Sequence, residues 1–100
     1  RRLGDSHGVA LRADVLKFIS RCRERFGFVF ADPPYALPEL PELPDRVMGS
    51  GLLADGGLFV LEHGKGHRFD SHPCFLEHRA YGSVNFSFFR QPGDTNTDNP

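Results

Sequence analysis

The spacing of apolar residues changes several times along this 100-residue chain, and each change marks an element. Val9-Ala10-Leu11 is a short unbroken apolar run and predicts a strand. Val15, Phe18/Ile19, Cys22 and Phe26 then recur at helical spacing, with Asp14 placed to cap the helix and Gly27 to end it. Phe28-Val29-Phe30-Ala31 is continuous again, as expected of a parallel strand covered on both faces. Leu37 to Pro44 is too rich in proline for a helix interior and reads as an extended loop, with a helix from near Asp45 to about Leu53. Gly56-Gly57 turns the chain into a second buried strand, Leu58-Phe59-Val60-Leu61. Beyond it, Phe75 to Tyr81 and Ser83 to Phe89 flank Gly82. Val84, Phe86 and Phe88 alternate with Asn85 and Ser87, the signature of a half-buried antiparallel hairpin.

From Gln91 onward no apolar side chain other than proline remains, so residues 91–100 are expected to be a disordered tail behind a domain of residues 1–90. Strand, helix, strand, helix, strand and hairpin define an α/β fold.

Twelve Lys+Arg against thirteen Asp+Glu leave a net charge of −1, a weak basis for gripping a phosphate backbone unaided. The cluster Lys17, Arg21, Arg23 and Arg25 reads as a solvated face. Two cysteines, Cys22 and Cys74, form no disulfide framework, which fits a reduced interior. With no signal-peptide pattern and no membrane-spanning run, a cytoplasmic protein is expected. His63, His67, His72 and Cys74 match no ordered zinc spacing, so no metal site is expected. Gly49-Ser50-Gly51 and Gly64-Lys65-Gly66 lack the strand-to-helix setting of a phosphate loop.

The chemistry concentrates at Asp32-Pro33-Pro34-Tyr35, directly behind the Phe28–Ala31 strand. In open α/β sheets ligands sit outside the carboxyl ends of the strands. The two prolines remove backbone donors and an ionised Asp32 only accepts, so acceptors stand beside an aromatic ring. That combination suits a planar group bearing an –NH2. Glu62-His63, ending the next strand at the same edge, reads as a solvated strand end.

The tetrad resembles the catalytic motif of S-adenosylmethionine-dependent methyltransferases that act on nucleobase amino groups. With Val9–Asp14, Phe28–Ala36, Gly51–His63 and Tyr81–Phe89, the chain resembles the bacterial small-subunit ribosomal RNA (guanine-N2) methyltransferases over roughly residues 3 to 90. The resemblance covers only the C-terminal part of that family's Rossmann-like catalytic domain. It implies S-adenosylmethionine as cofactor, ribosomal RNA as substrate, and catalytic roles for Asp32, Pro33, Pro34 and Tyr35. The Asp32 carboxylate and the Pro33 carbonyl would accept from the target amine, and Tyr35 would stack on a flipped base. Asp14 would accept from the cofactor's adenine amine, alongside or instead of capping its helix.

The resemblance also implies that two absent strands belong between those at Val9 and Val29. The Val9 strand should then lack a partner and leave a raw sheet edge, open to the N-terminal half of the domain or to self-association. On that expectation the chain is a fragment and inactive alone. An adenine-N6 DNA methyltransferase is a second reading, since it shares the tetrad. A glutamine-N5 protein methyltransferase would typically carry Asn at position 32. A non-catalytic interaction module with a truncated methyltransferase fold is the alternative from another class.

Overall fold

The computed structural model describes residues 2–3 and 8–93. Its elements are β1 (Arg2–Leu3), β2 (Gly8–Leu11), α1 (Val15–Arg21), β3 (Phe26–Ala31), a 3-10 turn (Leu40–Glu42), α2 (Leu43–Ser50), β4 (Leu53–His63), β5 (Phe75–Tyr81) and β6 (Val84–Arg90). The six strands make one sheet in the order β1-β2-β3-β4-β6-β5. Strands β2, β3 and β4 run parallel, while β1 and the β5–β6 hairpin are antiparallel to their neighbours.

Parallel pairing sets Val9 beside Val29 and Leu11 beside Ala31, so β2 lies directly against β3. The strand expected to lack a partner therefore has β3 on one side and β1 on the other. Two short apolar strands of like direction close the gap, and the ladder runs on past the strand end where Asp32 N–H donates to Leu11 O at 2.7 Å. Pairing with β3 along its whole length and with β1 at Gly8 and Val9 gives β2 a neighbour on each side, in place of the raw edge anticipated there.

Helix α1 is shorter than its apolar spacing predicts, ending at Arg21 with Cys22 already extended. Phe26 instead opens β3, where it is buried and its N–H donates to Leu52 O at 2.8 Å. The ladder bond and the burial of a Phe ring outweigh roughly one further helical turn, and Gly27 falls inside a strand rather than at a helix end. Helix α2 begins at Leu43, before Asp45, because Pro44 is tolerated in a first turn. Leu43 and Val47 form its buried stripe, continued by Leu40 of the 3-10 turn, and Gly51 at φ 83° ends it in the left-handed region.

The turn foreseen at Gly56-Gly57 is an irregularity within β4, between Leu53 and Leu58. A side chain at Gly57 would meet Ala54 O and Leu53 Cδ1 at 2.8 Å, so only glycine fits. Gln91, expected to open the tail, is anchored here. Its N–H donates to Gly57 O at 2.9 Å, its carbonyl accepts from Gly56 N–H at 3.0 Å, and its amide reaches Met48 O at 3.1 Å. The rest of the expected tail, residues 94–100, lies outside the described residues.

Both helices pack on one face of the sheet. Val9, Leu11, Val29, Ala31, Phe59, Leu61 and Phe89 point into that core from the strands, and Val15, Leu40, Leu43 and Val47 from the helical layer. On the other face Ala10, Phe28, Phe30, Leu58, Phe86 and Phe88 are only half-buried, and Val60 lies among them. No helix covers this second face among the described residues, although the continuous apolar runs predicted cover on both sides. The hairpin holds a related surprise. Along β6 it is Asn85, Ser87 and Phe89 that turn inward, while Val84, Phe86 and Phe88 face the uncovered side. No described helix is long and apolar enough to cross a membrane.

Candidate functional site

The register builds the site before any side chain is considered. Leu11 stands beside Ala31 and Ala31 beside Leu61. The residues that follow, Arg12, Asp32 and Glu62, thus form a row across three parallel strand ends, about 4.8 Å from strand to strand. Arg12 Nη2 lies 3.5 Å from Asp32 Oδ2. With Arg12 78% exposed, this pair is weak and is easily exchanged for a better-fitting donor.

Behind Asp32 the chain leaves the sheet through a turn in which Leu37 N–H donates to Pro34 O at 3.0 Å. That spends the Pro34 carbonyl, and the Asp32 N–H is spent on Leu11. The Pro33 carbonyl has no hydrogen-bond donor among the described residues. Pro33 is buried beside it, and Tyr35 projects with 41% of its surface exposed. Arg12, Ala13, Asp32, Pro33, Pro34 and Tyr35 line an open cleft of about 390 Å3. The structure thereby brings the whole tetrad to one cleft.

Tyr35 is held on two sides. Its hydroxyl donates to Glu62 Oε2 at 2.8 Å, and its ring lies over Gly64, where an added Cβ would sit 3.1 Å from Cδ2. The hydrogen bond to Glu62, then burial, then the negative charges of Glu62 and Asp32 push the Tyr35 phenol up to about 12. Burial first, and Glu62 second, raise the Asp32 carboxyl above its ordinary 3.8 against the opposing pull of Arg12.

Asp14 occupies the N-cap position of α1 but makes no side-chain cap. Its Oδ1 accepts the Arg12 N–H at 3.0 Å, at the same carboxyl-terminal edge. Oδ2 has no partner among the described residues and can accept from a ligand amine.

Glu62 and His63, read in sequence as a solvated strand end, behave otherwise. Adjacent strand residues point to opposite faces. Glu62 therefore stands beside the cleft, against the Tyr35 hydroxyl, and His63 is fully buried on the helical side. His63 Nδ1 donates to Gly64 O at 2.8 Å, which leaves Nε2 to accept the Ser87 hydroxyl at 2.8 Å. Sequence reasoning missed this pair, because alternation with Val84, Phe86 and Phe88 put Ser87 on the polar side of the hairpin, whereas the fold turns it inward. His63, His67 and His78 gather in space, with ring centroids 6.1 and 5.9 Å from His63. No group of metal-ligating side chains forms among the described residues.

Burial, above all, lowers the pKa of His63. The unfolded chain then binds this proton more readily than the folded one, so His63 leaves stability intact above its ordinary 6.5 and erodes it as pH falls below that value. Urea midpoints are expected to drop between pH 7.5 and 5.5, and to drop less in His63→Gln. An equal drop in both would place the acid sensitivity elsewhere.

A parallel sheet closed by a reversed hairpin, with an acceptor-lined cleft at the carboxyl ends of its strands, is the architecture of the methyltransferase fold. Comparisons with solved structures agree. A hypothetical protein of Thermus thermophilus is 33% identical, covers 76% of this chain and 41% of its own, and superposes with a TM-score of 0.57. The yhhF protein of Escherichia coli, described provisionally as a methyltransferase, is 20% identical over 79% of this chain and 45% of its own, at TM-score 0.62. A Haemophilus influenzae protein described provisionally as a methylase is 18% identical over 77% of this chain and 50% of its own, also at 0.62. The chain thus spans about half the length of these structures. Among curated proteins, nothing matches it. The model of one family, Conserved hypothetical protein 95, matches residues 3–90, and the chain belongs to that family.

Proposed function

We propose that this chain carries the target-base part of an S-adenosylmethionine-dependent methyltransferase acting on guanine N2 of small-subunit ribosomal RNA. One observation carries the reading. At the end of β3 the neighbouring backbone groups are already spent, yet the Asp32 carboxylate and the Pro33 carbonyl stay available beside the Tyr35 ring.

An exocyclic base amine is a poor nucleophile because its lone pair is delocalised into the ring. Two acceptors, one for each N–H, turn the nitrogen so that its lone pair faces the incoming methyl group. Orientation of this kind is worth up to roughly 7–11 kcal/mol in favourable cases. Asp32 holds one N–H in place of Arg12, and the Pro33 carbonyl holds the other. Tyr35 stacks on the base, a contact of about 1–3 kcal/mol in single-strand binders. The methylated amine sheds its proton readily, so Asp32 need not be a strong base.

When bound, S-adenosylmethionine supplies an electrophilic methyl on its sulfonium. The residues present fit one end of it, with Asp14 Oδ2 open at the same sheet edge for an adenine amine. The remaining partners proposed are the RNA and an N-terminal half of the same domain.

The test is methyl transfer by the full-length protein to ribosomal RNA, followed by nucleoside analysis. N2-methylguanosine is expected. N6-methyladenine formed in DNA would replace this reading with the adenine one, and no transfer at all would favour a binding module.

A further inference from the structure

Among the exocyclic base amines, guanine's alone is flanked by a ring N–H. Its N2 lies between N1–H, a donor, and N3, an acceptor. The adenine N6 amine lies between N1 and N7, both acceptors, and the cytosine N4 amine between N3 and a carbon. A second acceptor beside the one that holds the target amine therefore favours guanine and repels adenine in either orientation.

Such an acceptor stands at the edge of the cleft, next to its lining residues Asp32 and Tyr35. Glu62 follows Leu61 as Asp32 follows Ala31, and those two residues are register partners, so the carboxylates stand side by side on neighbouring strand ends. Glu62 Oε2 is fixed by the Tyr35 hydroxyl at 2.8 Å, and Oε1 has no partner among the described residues. The electrostatic influence of Glu62 on both Asp32 and Tyr35 shows how closely the three groups converge. We propose that Glu62 is the specificity-determining residue of this cleft: its free oxygen accepts N1–H of guanine while its other oxygen locks the stacking ring. This rests on the reading above that Asp32 receives the target amine.

The chain has two tyrosines and no tryptophan, so in a Tyr81→Phe background Tyr35 is its one source of tyrosine fluorescence. Guanosine 5′-monophosphate should quench its fluorescence at a concentration about tenfold or more below that needed for adenosine 5′-monophosphate. Glu62→Ala should bring the two nucleotides together. Glu62→Gln should turn the preference toward adenosine, because the new amide can donate to N1 or N7. In Glu62→Ala the Tyr35 phenol should also titrate well below its present value of about 12.

Equal quenching by both nucleotides with Glu62 in place, or a guanosine preference that survives Glu62→Ala, overturns the assignment. A phenol titration unmoved by Glu62→Ala does so too. These measurements need no methyl transfer. Failure of the methylation assay with the nucleotide preference intact would therefore count against the enzymatic reading and not against Glu62.

Discussion

Asp32→Ala in the full-length protein is expected to abolish methyl transfer while leaving affinity for S-adenosylmethionine nearly unchanged. Asp32 lines the cleft beside Tyr35, whereas Asp14, the residue proposed to meet the cofactor, follows β2 at the same sheet edge and is not one of the residues lining the cleft. Removing one preorganised polar contact at a reacting centre costs on the order of 10²–10³ in rate, and losing the orientation of the amine adds to it. Calorimetric titration with the cofactor, run beside the methylation assay, separates the two effects. Retained turnover would remove Asp32 from the chemistry, and lost cofactor affinity would move it to the other site. The pH profile adds a second mark. Asp32 must be ionised to accept, and its carboxyl titrates above the ordinary 3.8, so the acid limb of activity should also lie above that value.

The second large effect concerns the uncovered sheet face. Alone, the chain is expected to bind S-adenosylmethionine weakly or not at all, and a separately made N-terminal segment of the domain should restore binding. Phe28, Phe30, Phe86 and Phe88 lie half-exposed on one side of the sheet, and fully burying a large apolar side chain is worth about 1.5–3 kcal/mol. A face of this kind is suited to a layer of helices, and the solved relatives possess at least as much chain again. Phe28→Asp with Phe86→Asp should block restoration while the helical side stays folded. Micromolar cofactor binding by the monomeric chain without any addition would refute the proposal.

Much of this arrangement was legible from residue order. The apolar runs at Val9, Val29 and Phe59, the hairpin about Gly82 and the placing of the tetrad at a strand end all follow local rules of spacing and turn chemistry. What escaped was decided between distant residues. That β2 would pair with β3 depends on which strands are at hand, not on Val9-Ala10-Leu11 itself. Phe26 carries a helical signal and a strand's fate because its ladder bond goes to Leu52, far along the chain. Alternation in β6 showed that two faces exist but not which is covered, so the burial of Asn85 and Ser87 went unseen. Glu62 and His63 were inseparable as neighbours in sequence; the pleat sends one to the cleft and the other to the core.

The position of β6 orders events during synthesis. It inserts between β4 and β5, so the strand that carries Glu62 and His63 gains its second neighbour only after residues 84–90 have left the ribosome. Until then β4 has an open side, His63 lacks the Ser87 hydroxyl, and the clamp of Gln91 on Met48 and Gly57 cannot close. A nascent chain halted before Val84 would hold the Asp32 tetrad complete in sequence yet mounted on an unfinished support. Completion of the cleft's support thus waits on β6, a strand that supplies none of its lining residues.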